Sequence, residues 1–122
     1  MSDIEVKVAT QYLEQQSDPE AERYVFAYTI RIINRGSDTS QLRNRHWIIT
    51  DARGEVEEVR GAGVVGQEPV LEPGASFEYT SGAILKTPVG AMQGSYEFEG
   101  SDGQRFDVPI QPFSLSMPKL VH

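Results

Sequence analysis

The segment YVFAYTIRIIN, residues 24–34, decides the fold class. Its even-numbered positions form an unbroken apolar row, and Thr29 and Arg31 stand between them; the row is Tyr24, Phe26, Tyr28, Ile30 and Ile32. Successive side chains of a strand point to opposite faces, so this period of two, with many β-branched and aromatic residues, predicts a half-buried strand. We therefore predict a central strand over residues 23–34.

The same pattern recurs outward from this segment, with turns rich in Gly, Pro and Asp about every ten residues, and helical periodicity is hard to find. The other strands are predicted at residues 4–12, 42–51, 55–60, 76–85, 94–100 and 105–110. Residues 61–74 are predicted to be a crossing loop, and Pro109, Pro112 and Pro118 predict an edge strand or a tail. Seven short strands indicate an all-β, immunoglobulin-like or fibronectin-III-like sandwich in a single domain, residues 1–122.

Composition limits the classes of function. The formal net charge is −7, which argues against general nucleic-acid binding, because that depends on massed Lys and Arg. No cysteine is present, so disulfides, thiolate nucleophiles and cysteine-ligated metals are excluded. No stretch approaches the roughly 20 apolar residues of a membrane span. The amino-terminal stretch lacks the pattern of a signal peptide, and we predict a cytoplasmic protein.

Candidate binding residues lie in a locally basic segment. Between Arg31 and Arg53 there are five arginines and two aspartates. Arg43 and Arg45 are two positions apart, so in a regular strand they project from the same face, beside His46. Two forked guanidiniums on one face suit a phosphate or an acidic peptide. The competing interpretation is that both arginines pair with the chain's own acids.

A second candidate is the segment GAGVVG, in which Gly61, Gly63 and Gly66 fit the GxGxxG spacing of dinucleotide-binding loops. Such a loop needs a helix after it, whose amino terminus binds the pyrophosphate. The following Gln-Glu-Pro sequence allows no helix of useful length. The spacing therefore favours a tight loop with positive φ angles, although a nest of amides could still hold an anion.

Catalytic and metal-binding constellations are not visible in the sequence. The two histidines, His46 and His122, are too few for a site built on several imidazoles, and no serine lies in a GxSxG elbow. Acids are plentiful at Glu55, Glu57, Glu58, Glu68 and Glu72. They could bind Mg²⁺, but a solvated acidic strand edge explains them better. We predict no catalytic residue, no metal site and no cofactor.

Five motifs carry a resemblance to a known family: RHWIITD, VVGQEPVL, FEYTSG, TPVGAMQGSYEF and FDVPIQPFSLS. Together they make the chain similar to the bacterial ApaG family over most of its length. The resemblance implies a fibronectin-III-like fold and a family without an established enzymatic activity. Related domains occur in eukaryotic F-box and polymerase-interacting proteins, where an adaptor role is the common suggestion. The family is also loosely linked to tolerance of divalent cations.

Our leading hypothesis is a non-enzymatic module that binds another protein, either on the Arg43/Arg45/His46 strand face or along an exposed sheet edge. The alternative is a sensor of a small anion or nucleotide phosphate. It would use Arg43, Arg45 and the segment from Gly61 to Gly66, and could be tied to Co²⁺ or Mg²⁺ tolerance.

Overall fold

The computed structural model describes residues 3–118, and nearly all of them lie in strands or the turns between strands. The strands are β1 Ile4–Tyr12, β2 Tyr24–Asn34, β3 Ser40–Asp51, β4 Val56–Ala62, β5 Val70–Leu71, β6 Ser76–Leu85, β7 Val89–Gly100 and β8 Arg105–Ser116. Two 3₁₀ turns, Glu14–Gln16 and Pro19–Ala21, connect β1 to β2. The all-β prediction is confirmed. His122, the second of the two histidines judged too few for a metal site, lies outside the described residues.

The strands form two antiparallel sheets. One sheet has the order β1-β2-β6, and the other has the order β4-β3-β7-β8, with the short β5 also pairing with β3. The chain changes sheet between β2 and β3, between β5 and β6, and between β6 and β7. Two antiparallel sheets that face each other across an apolar core form a β-sandwich, as the alternation of residues 24–34 predicts.

The core lies between the two sheets and takes one face of each strand. In β2 the even-numbered Phe26, Ile30 and Ile32 are almost fully buried, which confirms the predicted orientation of this strand. The opposite sheet contributes the buried side chains of Leu42, Trp47, Met92, Tyr96, Phe98, Val108, Ile110 and Leu115. Burying such side chains stabilises the fold by about 1.5–3 kcal/mol each, before the entropy of ordering the chain is subtracted.

Several predicted boundaries are wrong. β7 begins five residues before the predicted Gly94, and β8 runs to Ser116 where the prediction ended at residue 110. The prolines Pro109 and Pro112 are accommodated because β8 is the last strand of its sheet, where a missing amide on the free side breaks no ladder. The edge-strand prediction for this stretch is therefore confirmed.

The predicted crossing loop, residues 61–74, also contains regular structure. β4 continues to Ala62, and β5 pairs with the start of β3 through Ser40 and Gln41. Between them Val64 and Gln67 form an isolated bridge. The segment is thus a hairpin and a short strand that belong to the five-stranded sheet.

The two sides of the sandwich differ in how the sheet edges are covered. On one side β1 contacts β8. On the other side β4 and β6 border a hollow between the sheets. Within residues 3–118, β6 pairs only with β2, so one edge of this ten-residue strand has no strand beside it.

Candidate functional site

The predicted site residues lie at the end of β4 and the middle of β3. A depression of about 590 Å³ opens there on the outer face of the five-stranded sheet, and we call it the outer depression. Arg45, His46 and Gly61 line it, together with Arg60 and Asp107 among others. Arg43, Gly63 and Gly66 do not line it. The structure therefore brings three of the six predicted residues together.

Arg43 and Arg45 do not share a face, so this part of the prediction is wrong. The register of β3 against β7 passes from Leu42 opposite Phe98 to Asn44 opposite Glu97, which leaves Arg43 as the extra residue of a β-bulge. A bulge shifts the alternation of side chains by one position. The regular strand assumed from the sequence has no such shift.

Arg43 lies on the outer face in a network of opposite charges. Its guanidinium lies 3.1 Å from Glu68 and 3.5 Å from Glu99. Arg105 lies 3.3 Å from the same carboxylate of Glu99 and 3.0 Å from Glu97. Hydrogen bonds from Asn44 and then Arg105 lower the pKa of Glu97. For Arg43 the geometry favours the interpretation that it pairs with the chain's own acids.

Arg45 borders the outer depression, but its side chain lies on the inner side of β3. Its direct cross-strand partner is Tyr96, which is fully buried, and residues directly opposite each other share a face. The Nη1 atom of Arg45 donates hydrogen bonds to the carbonyl oxygens of Ala62 and Gly63, at 2.9 and 3.0 Å. Arg45 therefore ties β3 to the turn that follows β4.

His46 is on the outer face and forms a hydrogen bond with Glu58 on β4. Its Nε2 lies 2.5 Å from Oε2 of Glu58, and Arg60 reaches the same oxygen at 2.9 Å. A carboxylate only accepts hydrogen bonds, so Nε2 carries the proton. The hydrogen bond from His46, with Arg60 nearby, lowers the pKa of Glu58. The geometry is that of a hydrogen-bonded strand histidine.

The three glycines of the GAGVVG segment each have a local structural reason. A Cβ on Gly61 would lie 2.9 Å from the Arg45 guanidinium, and a Cβ on Gly63 would lie 2.3 Å from the carbonyl oxygen of Gln67. Gly66 has φ +79° in a two-residue turn, where Val65 also has a positive φ of 43°. Positive φ at both turn positions is typical of a type I′ hairpin. The predicted positive φ angles are present at Gly63 and Gly66 but not at Gly61.

The amides of this segment are largely committed to the hairpin. The amide of Gly63 donates to the carbonyl of Arg43, and Val64 and Gln67 exchange two backbone hydrogen bonds. No α-helix follows the glycines in residues 3–118. Both observations favour the tight-loop interpretation over a phosphate-binding one.

Comparison with known proteins settles the family. A family model described as the ApaG domain matches residues 14–100. The chain belongs to the ApaG family. It is 56% identical over 119 residues to Protein ApaG of Pseudomonas putida strain W619, covering 98% of this chain and 94% of that one. It is 57% identical over 119 residues to Protein ApaG of Thiobacillus denitrificans, with the same coverage.

The fold of this ApaG chain also matches solved structures. A crystal structure described as an ApaA protein from Bordetella pertussis superposes with a TM-score of 0.94 at 54% identity, covering 97% of this chain and 96% of that chain. The sequence motifs of the ApaG resemblance map onto β3, the segment after β4, β6, β7 and β8. They therefore include β6, whose edge away from β2 is free.

We looked for metal-binding clusters and membrane-spanning helices in the part of the ApaG chain that the structure describes. No group of three or more His, Cys, Asp or Glu side chains there is arranged to hold a metal ion. None of its helical turns is long and apolar enough to cross a membrane.

The sequence reasoning missed a buried polar contact between the two sheets of the ApaG chain. The hydroxyls of Tyr79 on β6 and Tyr96 on β7 form a hydrogen bond inside the core. Burial raises the pKa of both hydroxyls, and the neighbouring tyrosine raises that of Tyr96 further. Both tyrosines belong to apolar rows in the sequence, so only their distance in the fold could reveal the pair.

This tyrosine pair predicts a late alkaline titration. A phenol whose folded pKa is raised contributes stability that is fully present below its unfolded pKa, about 10, and is lost as pH rises above that value. We expect Tyr79 and Tyr96 to ionise only when the protein unfolds. Ultraviolet absorbance and circular dichroism, followed together from neutral to strongly alkaline pH, measure this. Ionisation of every tyrosine while the circular dichroism spectrum stays native would contradict the prediction.

Proposed function

We propose that this ApaG chain is a non-catalytic protein-binding module that takes up an extended segment of its partner along the free edge of β6. The observation that carries the proposal is that unpaired edge. A strand of ten residues is about 33 Å long, and its free edge presents a row of amide and carbonyl groups. Extended peptides bind such edges by adding a strand to the sheet.

β6 also lacks the features that usually protect edges against pairing. Its sequence SFEYTSGAIL has one charged residue, Glu78, and no proline, and its register with β2 is continuous. By contrast, β8 carries Pro109 and Pro112, and charged residues make up much of β4. Charges, prolines and bulges are how natural sheets discourage edge pairing. Of the edges of β4, β6 and β8, that of β6 is therefore best suited to accept a strand.

The outer depression gives weaker support for a binding site. Arg43 and Arg45 face opposite sides of the sheet, and each is already engaged by groups of the same chain. A phosphate would have to displace Glu68 and Glu99 from Arg43. We therefore prefer the β6 edge to the strand face, and a protein partner to the phosphate-sensor alternative.

A set of model peptides tests the proposal. Isotope-labelled protein is titrated with three terminally blocked decapeptides, and binding is followed by NMR. All three peptides alternate valine and threonine, and three positions are replaced by lysine in the first peptide, by glutamine in the second and by glutamate in the third. Each backbone hydrogen bond contributes only about 1 kcal/mol, and ordering the peptide offsets much of it, so concentrations up to about 1 mM are needed. We expect at least one peptide to shift the amide resonances of residues 76–85 and slow their hydrogen exchange.

N-methylation supplies the control. A peptide methylated on the alternate amides that face β6 loses its donors and should not bind, whereas methylation on the other amides should leave binding intact. If no peptide protects β6, or if protection appears only at another edge, strand addition to β6 is not the function of this surface.

A further inference from the structure

A small hollow lies between the edges of β4 and β6, at the carboxyl end of β6. Its volume is about 200 Å³, and we call it the edge hollow. Its apolar lining consists of Ile49, Val56, Ile84 and Leu85. Val56 and Ile84 are 64% and 53% exposed, and they are two of the four large apolar side chains that stand out as exposed in the described residues. An apolar surface therefore lies beside the free edge.

The charged lining of the edge hollow is mainly acidic. Asp51, Glu55 and Glu57 contribute three carboxylates, against one ammonium group from Lys86. One oxygen of Asp51 accepts the backbone amides of Arg53 and Glu55, which fixes this carboxylate in the turn before β4. The hollow is thus lined by apolar residues and by an excess of carboxylates.

None of these three carboxylates has an ion-pair partner within 4.0 Å among residues 3–118. Asp51 is held by two backbone amides, which leaves Glu55 and Glu57. The guanidinium of the nearby Arg53 pairs with Glu22, which is the main reason that the pKa of Arg53 is raised. The charge of Glu55 raises this pKa to a smaller extent. Glu57 lies directly opposite Ile49 in the ladder, so it shares the face that lines the hollow. Both carboxylates are available to an incoming cation.

We infer that the partner segment is basic, with a lysine or arginine side chain seated in the edge hollow. This inference rests on the proposed strand addition to β6. The alkyl stem of such a side chain would pack against the apolar lining of the edge hollow, while its charged end reaches Glu55 and Glu57. Main-chain bonds along an edge do not distinguish sequences, so pockets beside the edge provide the specificity. The edge hollow is such a pocket, and it selects a positive charge.

A second copy of the chain fits this surface less well. The net charge of −7 makes two copies repel each other, and the β6 edge of a second copy brings Glu78 as its only charged residue. A basic segment of another protein complements both the local and the overall charge. The occupant we assign is therefore a basic extended segment of a different protein.

The lysine, glutamine and glutamate decapeptides described above test this inference. At low ionic strength we expect the lysine peptide to bind at least about tenfold more tightly than the glutamate peptide, since each exposed ion pair is worth about 0.2–1 kcal/mol and like charges repel by similar amounts. Raising the salt to about 0.5 M should remove most of that difference.

A charge-matched pair of variants locates the effect. Glu55→Gln/Glu57→Gln should weaken binding of the lysine peptide about threefold to tenfold and leave the glutamine peptide unchanged. Glu20→Gln/Glu72→Gln removes the same charge from exposed positions outside the edge hollow and should change neither affinity.

The outcomes separate the two proposals. Suppose that the peptides protect β6 but the glutamate peptide binds as tightly as the lysine peptide, or that both double variants change the affinity equally. Either result would reject the inference of a basic partner segment and leave the proposed strand addition to β6 intact. If no peptide protects β6, the proposed function itself fails. If β6 is protected without peptide and sedimentation shows a dimer, the occupant is a second copy, which overturns the inference.

Discussion

Replacing Gly94 by alanine is expected to lower the free energy of unfolding by at least about 3 kcal/mol, at the upper end of what overpacking costs. Gly94 lies opposite Trp47 in the ladder of β3 and β7. A Cβ there would lie 1.9 Å from the carbonyl oxygen of His46 and 3.1 Å from the Cα of Trp47. Both atoms belong to the backbone of the neighbouring strand, so relief requires β3 and β7 to move apart.

Gly82→Ala is the matched control for this prediction. Gly82 is also a strand glycine, but a Cβ on it would lie 3.4 Å from the carbonyl oxygen of Phe26, which is an ordinary contact. Its free energy of unfolding should stay within about 1 kcal/mol of the unsubstituted protein. Urea unfolding followed by circular dichroism measures both variants. Equal stability of the two variants would show that β3 and β7 do not approach this closely.

Replacing Trp47 by alanine is expected to cost about 3–5 kcal/mol, the usual cost of removing a large buried aromatic side chain. Trp47 is 2% exposed. Its ring packs edge-on against Tyr28 of the other sheet at 5.4 Å and against Phe113 of β8 at 5.9 Å between centroids. Loss of this side chain therefore leaves a cavity that involves both sheets.

Ile84→Ala provides the comparison, because Ile84 is 53% exposed and lies at the free edge. Its expected effect on unfolding is within about 0.5 kcal/mol. Trp47 is the only tryptophan of the chain, so circular dichroism replaces fluorescence as the probe. A cost below about 1 kcal/mol for Trp47→Ala would contradict the central position of this side chain in the core.

Strands with strong alternation are predicted well from the sequence. The predicted bounds of β1 and β6 agree with the structure, and β2 differs by one residue at its start. β7 is the strand whose beginning is missed, because its first half contains Gly90 and Gly94, and glycine argues against a strand. At Gly94 the reason for glycine is a neighbouring backbone, which is visible only in the fold.

The candidate site shows where sequence reasoning stops. The spacing of Arg43 and Arg45 predicts a shared face, and the bulge at Arg43 separates them. No glycine or proline marks this bulge in the sequence SQLRNRHWIITD. The edge hollow could not be predicted from the sequence either. It brings together Glu57 of β4 and Ile84 of β6, and no local sequence pattern relates these two residues.

The strand order of the first sheet has a consequence for how the chain reaches its fold. β2 pairs with β6 from Tyr24 opposite Leu85 to Ile33 opposite Ser76, so this ladder joins residues roughly forty to sixty positions apart in the chain. Closing so long a loop costs entropy before any contact repays it, and such topologies fold in milliseconds to seconds. During synthesis the apolar side chains of β2 therefore remain without their β6 neighbours until residues 76–85 have been made. β6, whose free edge we propose as the binding site, is the last strand of its sheet to be synthesised.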